Sequence, residues 1–163
     1  MPRSFDTPLP IDAVLDQLSR TLADNNAAVL VAPPGAGKTI AVLGLTFKPD
    51  TDDMREAPSI PLITGLLDMG AKVRAHDPVG MEQARRELPD IEYCDDPYAC
   101  VRGADAMVVV TEWVQYRTLD LARLKRELAQ PVVVDLRNIY RPEEMAALGF
   151  IYESVGRAPE PRD

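Results

Sequence analysis

Apolar residues follow two alternating patterns along most of the chain. Short unbroken runs such as residues 132–134 are rich in β-branched residues and are typical of strands buried on both faces. Between them, apolar residues recur every three or four positions in segments typical of amphipathic helices. The pattern predicts strands at 40–47, 71–77, 91–94, 104–112, 131–137 and 150–156. It predicts helices at 59–70, 80–88, 97–103, 120–129 and 142–149.

This alternation predicts an α/β fold: a doubly wound, mainly parallel, Rossmann-like sheet with helices on both faces. An N-terminal helix at 11–25 and a strand at 27–32 precede it as an extension. We therefore divide the chain into an N-terminal segment, residues 1–39, a domain at 40–157 and a frayed tail at 158–163. In such folds, ligands bind beyond the carboxyl ends of the strands.

Composition narrows the classes of partner. The 163 residues carry a net charge of −8, which opposes binding to nucleic acid. No apolar run approaches the ~20 residues that span a bilayer, so we expect no membrane partner. The N-terminus lacks an apolar signal core, so we expect a cytoplasmic protein. Cys94 and Cys100 lack the spacing of a metal or redox site, and we expect two reduced buried thiols and no metal.

The loops after three predicted strands contain three cations and an aromatic residue, a set that suits an anion. Lys48 and Arg55 follow the strand at 40–47, Trp113 follows the strand at 104–112, and Arg137 follows 131–135. A guanidinium fork suits phosphate oxygens, and lysine supplies a compact charge. Each cation alone is typical of a solvated surface residue. Because all of them are placed at strand ends, an anion site explains them as well as a solvated surface does.

Residues 37–157 resemble the C-terminal, UDP-binding domain of the UDP-glucose/GDP-mannose dehydrogenase family. The matching stretches, in the order of that family, are GKTIAVLGLTFKPDTDDMREAPS, GAKVRAHDP, YCDDPYACVRGADAMVVVTEW and PVVVDLRNIYRPEEMAALGFIYESVGR. The resemblance implies a domain that recognises UDP or a UDP-sugar, weakly when it acts alone. Phe47, Lys48 and Arg137 fall where the family contacts this substrate, and Arg55 falls where it contacts NAD.

The sequence departs from this family in its other parts. The glycine fingerprint of the NAD-binding domain and the catalytic cysteine of the GGxC stretch do not occur in it. Hydride transfer requires cofactor, nucleophile and substrate to be held together. We therefore expect no dehydrogenase activity and no retained cofactor from this chain alone, NAD belonging to the complete family enzyme.

Residues 1–39 resemble a different protein class, the N-terminal segment of bacterial DEAH-box ATP-dependent helicases. Their stretch APPGAGKT, at 32–39, fits the spacing of a phosphate loop. This resemblance leads us to expect a chimera of two unrelated proteins. It also gives an alternative function, a P-loop ATP- or GTP-binding module that uses Gly35, Gly37, Lys38 and Thr39.

The residues after this loop favour a different interpretation. A phosphate loop needs a helix that begins near its lysine, whereas IAVLGL at 40–45 is typical of a strand. Lys38 would then lie at the amino end of that strand, away from the ligand edge. A structural chimera without any ligand remains a third alternative. If the helix at 11–25 does not pack on the sheet, its apolar stripe predicts a homodimer.

Overall fold

A computed structural model of the protein describes residues 37–155, and the predicted helix at 11–25, the strand at 27–32, Gly35 and the tail lie outside this range. Six strands occur in it: β1 (Thr39–Leu43), β2 (Lys72–His76), β3 (Glu92–Tyr93), β4 (Ala106–Val109), β5 (Val132–Asp135) and β6 (Ile151–Ser154). Six helices connect them: α1 (Ser59–Asp68), α2 (Met81–Glu87), α3 (Pro97–Val101), α4 (Val114–Arg117), α5 (Leu121–Glu127) and α6 (Pro142–Ala147). None of the helices in this range is long and apolar enough to cross a membrane.

The strands form one sheet in the order β3-β2-β1-β4-β5-β6. Every neighbouring pair is parallel, and Ile40 of β1 lies between Val73 of β2 and Ala106 of β4. The chain adds strands to one side of β1 and then returns to add strands to its other side. The predicted doubly wound parallel fold is therefore confirmed, and its switch in strand order lies between β1 and β4.

Strand β1 divides its side chains between two hydrophobic cores. Ile40 and Val42 face the core that contains α1 and α2. Ala41 and Leu43 face the core that contains α3, α4, α5 and α6. All four side chains are fully buried, because helices cover both faces of the sheet.

The observed strands are shorter than the apolar runs that predicted them. The run at 40–47 forms a strand only as far as Leu43, because Gly44 adopts a φ of +90° and turns the chain out of the sheet. The run at 104–112 narrows to Ala106–Val109. Helix α4 was not predicted at all, since its four residues are too few to show a helical period.

Both cysteines lie in the second core, and neither forms a disulfide, as expected. The thiol of Cys94 interacts with that of Cys100, whose pKa is raised well above its ordinary value by this contact and by burial. A thiol of raised pKa is rarely ionised at neutral pH, so Cys100 is a poor nucleophile there.

The close approach of β1 and β4 at Gly44 yields a stability prediction. A Cβ at position 44 would lie 2.5 Å from the Cβ of Thr111 and 2.6 Å from its backbone nitrogen. Gly44→Ala should therefore lower the free energy of unfolding by about 3 kcal/mol or more, through overlap added to backbone strain. Urea unfolding of the two proteins measures this loss.

Gly103→Ala is the matched control. Gly103 has a similar positive φ of +70°, but nothing lies within 4 Å of a Cβ built there. Only the backbone strain remains, so the expected loss is about 1 kcal/mol. Equal losses for the two variants would show that the contact with Thr111 is not a constraint.

Candidate functional site

The carboxyl ends of the strands gather the loops that contain the predicted site residues. We call the loops 44–58, 110–113 and 136–141, which follow β1, β4 and β5, the carboxyl-edge loops. Since β4 lies between β1 and β5 in the sheet, the loop 110–113 lies between the other two. They lie at the switch in strand order, where open α/β sheets bind ligands.

The first carboxyl-edge loop holds Phe47 and Lys48 out toward solvent. Phe47 is 51% exposed, whereas Thr46, directly before it, is fully buried. The hydroxyl of Thr46 donates to the carbonyl of Lys48 at 2.9 Å, and the amide of Phe47 donates to the carbonyl of Asp53 at 2.9 Å. These bonds fold the loop back on itself and hold in place the backbone that carries the exposed side chains of Phe47 and Lys48.

Arg55 lies in the same loop but is directed at its own neighbour. Its Nε and Nη2 donate to the two carboxylate oxygens of Asp53 at 3.0 and 2.8 Å, and its side chain is 89% exposed. These bonds lower the pKa of Asp53 to about 2. Asp53 is thus ionised at neutral pH and balances the charge of Arg55.

Arg137 is held by an acidic residue of the adjacent loop. Its Nε and Nη2 each donate to Glu112 at 2.7 Å, and its side chain remains 43% exposed. The hydrogen bonds from Arg137 lower the pKa of Glu112. A bidentate pair of this kind fixes the plane of the guanidinium as well as its position.

Two buried aspartates, which the sequence analysis did not single out, support these loops. Asp77, after β2, accepts from the amides of Leu45 and Thr46 at 2.8 and 3.2 Å. Asp135, at the end of β5, accepts from the amides of Arg137 and Tyr140, each at 3.0 Å. An aspartate that directly ends an apolar strand was the available signal, since a buried carboxylate must find donors.

A buried tyrosine joins the end of β2 to helix α4. The hydroxyl of Tyr116 donates to the carbonyl of His76 at 2.9 Å and lies 2.9 Å from Nδ1 of the same residue. The tautomer of His76 sets the direction of the second contact: when the hydroxyl proton points at the carbonyl, Nδ1 donates to the oxygen of Tyr116. Burial lowers the pKa of His76, so its imidazole is neutral in the folded protein.

The residues of the alternative P-loop lie at the opposite edge of the sheet. Thr39 is the first residue of β1, and its amide donates to Asp105 at 2.9 Å. The amide of Gly37 donates to the carbonyl of Gly70 at 3.2 Å. Lys38 is thus followed by a strand instead of the helix that a phosphate loop requires, and two loop amides already have protein acceptors. The P-loop interpretation of Gly37, Lys38 and Thr39 is not favoured; Gly35 lies outside the described residues.

Strand order, parallel pairing and the adjacent carboxyl-edge loops define a protein of the Rossmann-like α/β class. Residues 41–142 match the family model described as the UDP binding domain of the UDP-glucose/GDP-mannose dehydrogenase family, and the chain belongs to this family.

Individual relatives agree with this assignment. The chain is 52% identical over 121 residues to the UDP-glucose 6-dehydrogenase of Rhizobium meliloti, a match that covers 74% of this chain and 28% of that protein. A UDP-glucose dehydrogenase structure from Pyrobaculum islandicum superposes with a TM-score of 0.65 at 35% identity, over 88% of this chain and 30% of that one. The NDP-N-acetyl-D-galactosaminuronic acid dehydrogenase of Methanosarcina mazei gives a TM-score of 0.73 at 28% identity, over 96% and 34%. The chain thus spans less than a third of the length of the curated relatives it matches.

The buried imidazole predicts a pH dependence of stability. The pKa of His76 lies below 6.5 in the folded protein and near 6.5 in the unfolded chain. Its contribution to stability is therefore complete above about pH 6.5 and is lost as the pH falls through the folded-state pKa. Thermal unfolding between about pH 7 and about pH 5 should show this loss.

The chain has a single histidine, so its imidazole signals in an NMR titration need no assignment. The titration should give a midpoint below 6.5 in the native protein. A midpoint at or above 6.5 would contradict the prediction and the buried geometry on which it rests.

Proposed function

We propose that this chain binds UDP or a UDP-sugar at the carboxyl-edge loops, as the substrate-binding part of a UDP-glucose 6-dehydrogenase-like oxidoreductase. The observation that supports this most directly is the placement of Lys48 and Arg137. Both lie on loops at the carboxyl edge of the sheet, one on each side of the loop after β4, in a chain whose matching family model is described as a UDP binding domain. The two cations would share the negative charge of the diphosphate.

Each proposed contact uses a different property of its side chain. Lys48 offers a compact ammonium, and Arg137 offers a planar fork already oriented by Glu112. Phe47 presents an exposed ring that can stack on a base or pack against a sugar. We expect weak affinity, since Glu112 already occupies two N–H groups of Arg137 and the net charge of −8 opposes an anion.

Arg55 is assigned to NAD only within a complete family enzyme. Its guanidinium is paired with Asp53 in the described residues, and an approaching phosphate would have to compete with that carboxylate. NAD-dependent oxidation of a UDP-sugar is proposed only for an enzyme of the relatives' length.

Three expectations about the N-terminal segment stay predictions. The helicase resemblance of residues 1–39, the chimeric origin of the chain and a homodimer formed through the helix at 11–25 all depend on residues that lie mainly outside the described range.

Titration with UDP and UDP-glucose, followed by amide chemical shifts, tests the proposal. At millimolar ligand, shifts should cluster at residues 46–48 and 136–138. Lys48→Met should weaken binding about tenfold, because a charge-assisted contact contributes roughly 1.5–3 kcal/mol. Unchanged shifts in these loops of the wild-type protein would refute the proposal.

Lys38→Met is the matched control, since Lys38 lies at the amino edge of the same strand. It should bind UDP as the wild-type protein does. The same two variants test the P-loop alternative. If Lys38→Met loses binding of Mg-ATP and Lys48→Met keeps it, the phosphate loop is favoured.

A further inference from the structure

We propose that Asp77 is the positioning residue of the UDP site, a role that rests on the function proposed above. Its buried carboxylate fixes the backbone of residues 45–46 and thereby the placement of Phe47 and Lys48. Asp77 itself does not contact the ligand: it is fully buried, and a carboxylate beside a diphosphate would repel it.

Asp77 joins three separate segments through its two oxygens. One oxygen accepts from the amides of Leu45 and Thr46 and from the indole nitrogen of Trp113, the last at 3.1 Å. The other accepts from the amides of Val79 and Gly80 at 3.0 and 2.7 Å. The loops after β1, β2 and β4 therefore meet at one carboxylate.

Five N–H groups donate to Asp77, and the hydroxyl of Thr46 also lies 3.4 Å from its carboxylate, which makes an all-acceptor side chain the fitting partner. An ionised carboxylate accepts at both oxygens and donates at neither. An asparagine would turn an NH₂ group toward N–H donors on one side and leave them unpaired in a buried place, at a substantial cost. The requirement is for two accepting oxygens and not only for the shape of the side chain.

Thr46 transmits this restraint to the proposed binding residues. Its amide is held by Asp77, and its hydroxyl donates to the carbonyl of Lys48 at 2.9 Å. Its own carbonyl accepts from the hydroxyl of Thr111 at 2.7 Å. Gly80 completes the fit, because a Cβ there would overlap the methyl group of Thr46. Thr46 has no room to move without moving Phe47, which follows it.

Two substitutions in the 163-residue chain test the proposal. Asp77→Asn should raise the Kd for UDP about tenfold and should speed amide hydrogen exchange at residues 45–48. Trp113→Phe removes only the indole donor and keeps the ring, so the Kd should rise about threefold. Trp113→Phe decides the question if Asp77→Asn does not fold.

Asp105→Asn is the matched control. Asp105 also binds a β1 amide, that of Thr39, but at the amino edge of the sheet. It should lower the unfolding temperature without changing the Kd for UDP or the exchange at 45–48. If the role of Asp77 is purely structural, Asp77→Asn should behave like this control: its unfolding temperature falls, and its Kd for UDP does not change. The Kd is measured well below the unfolding temperatures of both variants.

The outcomes separate this inference from the proposed function. Suppose that the wild-type protein binds UDP and that the Asp77→Asn variant binds it equally well. The positioning role is then wrong and the proposed function stands. Trp113→Phe takes the place of Asp77→Asn if that variant does not fold. If the wild-type protein shows no binding, both are wrong. A Kd that rises equally in Asp105→Asn would also overturn the positioning role, because the effect would then follow from stability alone.

Discussion

Burial of β1 on both faces is the constraint on which the remaining structure depends. Its four apolar residues, Ile40 to Leu43, alternate between two cores, and both of its hydrogen-bonding edges are occupied by β2 and β4. A helix at this position would place apolar side chains in water and leave two neighbouring strands unpaired. The segment is therefore a strand whatever precedes it, and this decides that Lys48 lies at the ligand edge and Lys38 does not.

Buried acceptors then determine the shape of that edge. A strand that ends inside a protein leaves amides that need partners. Asp77 supplies them for the loop after β1, and Asp135 supplies them for the loop that contains Arg137. Each aspartate lies at the end of a strand, beneath a loop that presents a cation. The two aspartates thus hold in place the backbone that carries the exposed cations, which reduces the conformational entropy lost on binding.

The sequence predicted the sheet better than it predicted the ends of its strands. Six strands and their parallel order follow from apolar runs separated by helical segments, because burial on both faces leaves no alternation. The run at 40–47 nevertheless leaves the sheet at Gly44, which adopts a positive φ and lies against the backbone of Thr111. Hydropathy predicts neither this dihedral angle nor this contact. The placement of Lys48 and Arg137 on loops at the same edge of the sheet followed from topology. The bond between Arg137 and Glu112 did not, since it joins residues 25 apart through tertiary packing alone.

That bond bears on how an anion could enter the site. Glu112 is ionised at neutral pH, and Arg137 lowers its pKa further, so an approaching phosphate meets a guanidinium that is already paired. Displacing Glu112 would leave a partly buried carboxylate without its partner, which is costly. A guanidinium has further N–H groups beyond the two that bind Glu112, however, and these can meet a phosphate while the pair persists. Glu112 therefore acts as an orienting partner of Arg137 more than as its competitor. The pair lowers the affinity of Arg137 for an anion but gives its guanidinium a defined orientation.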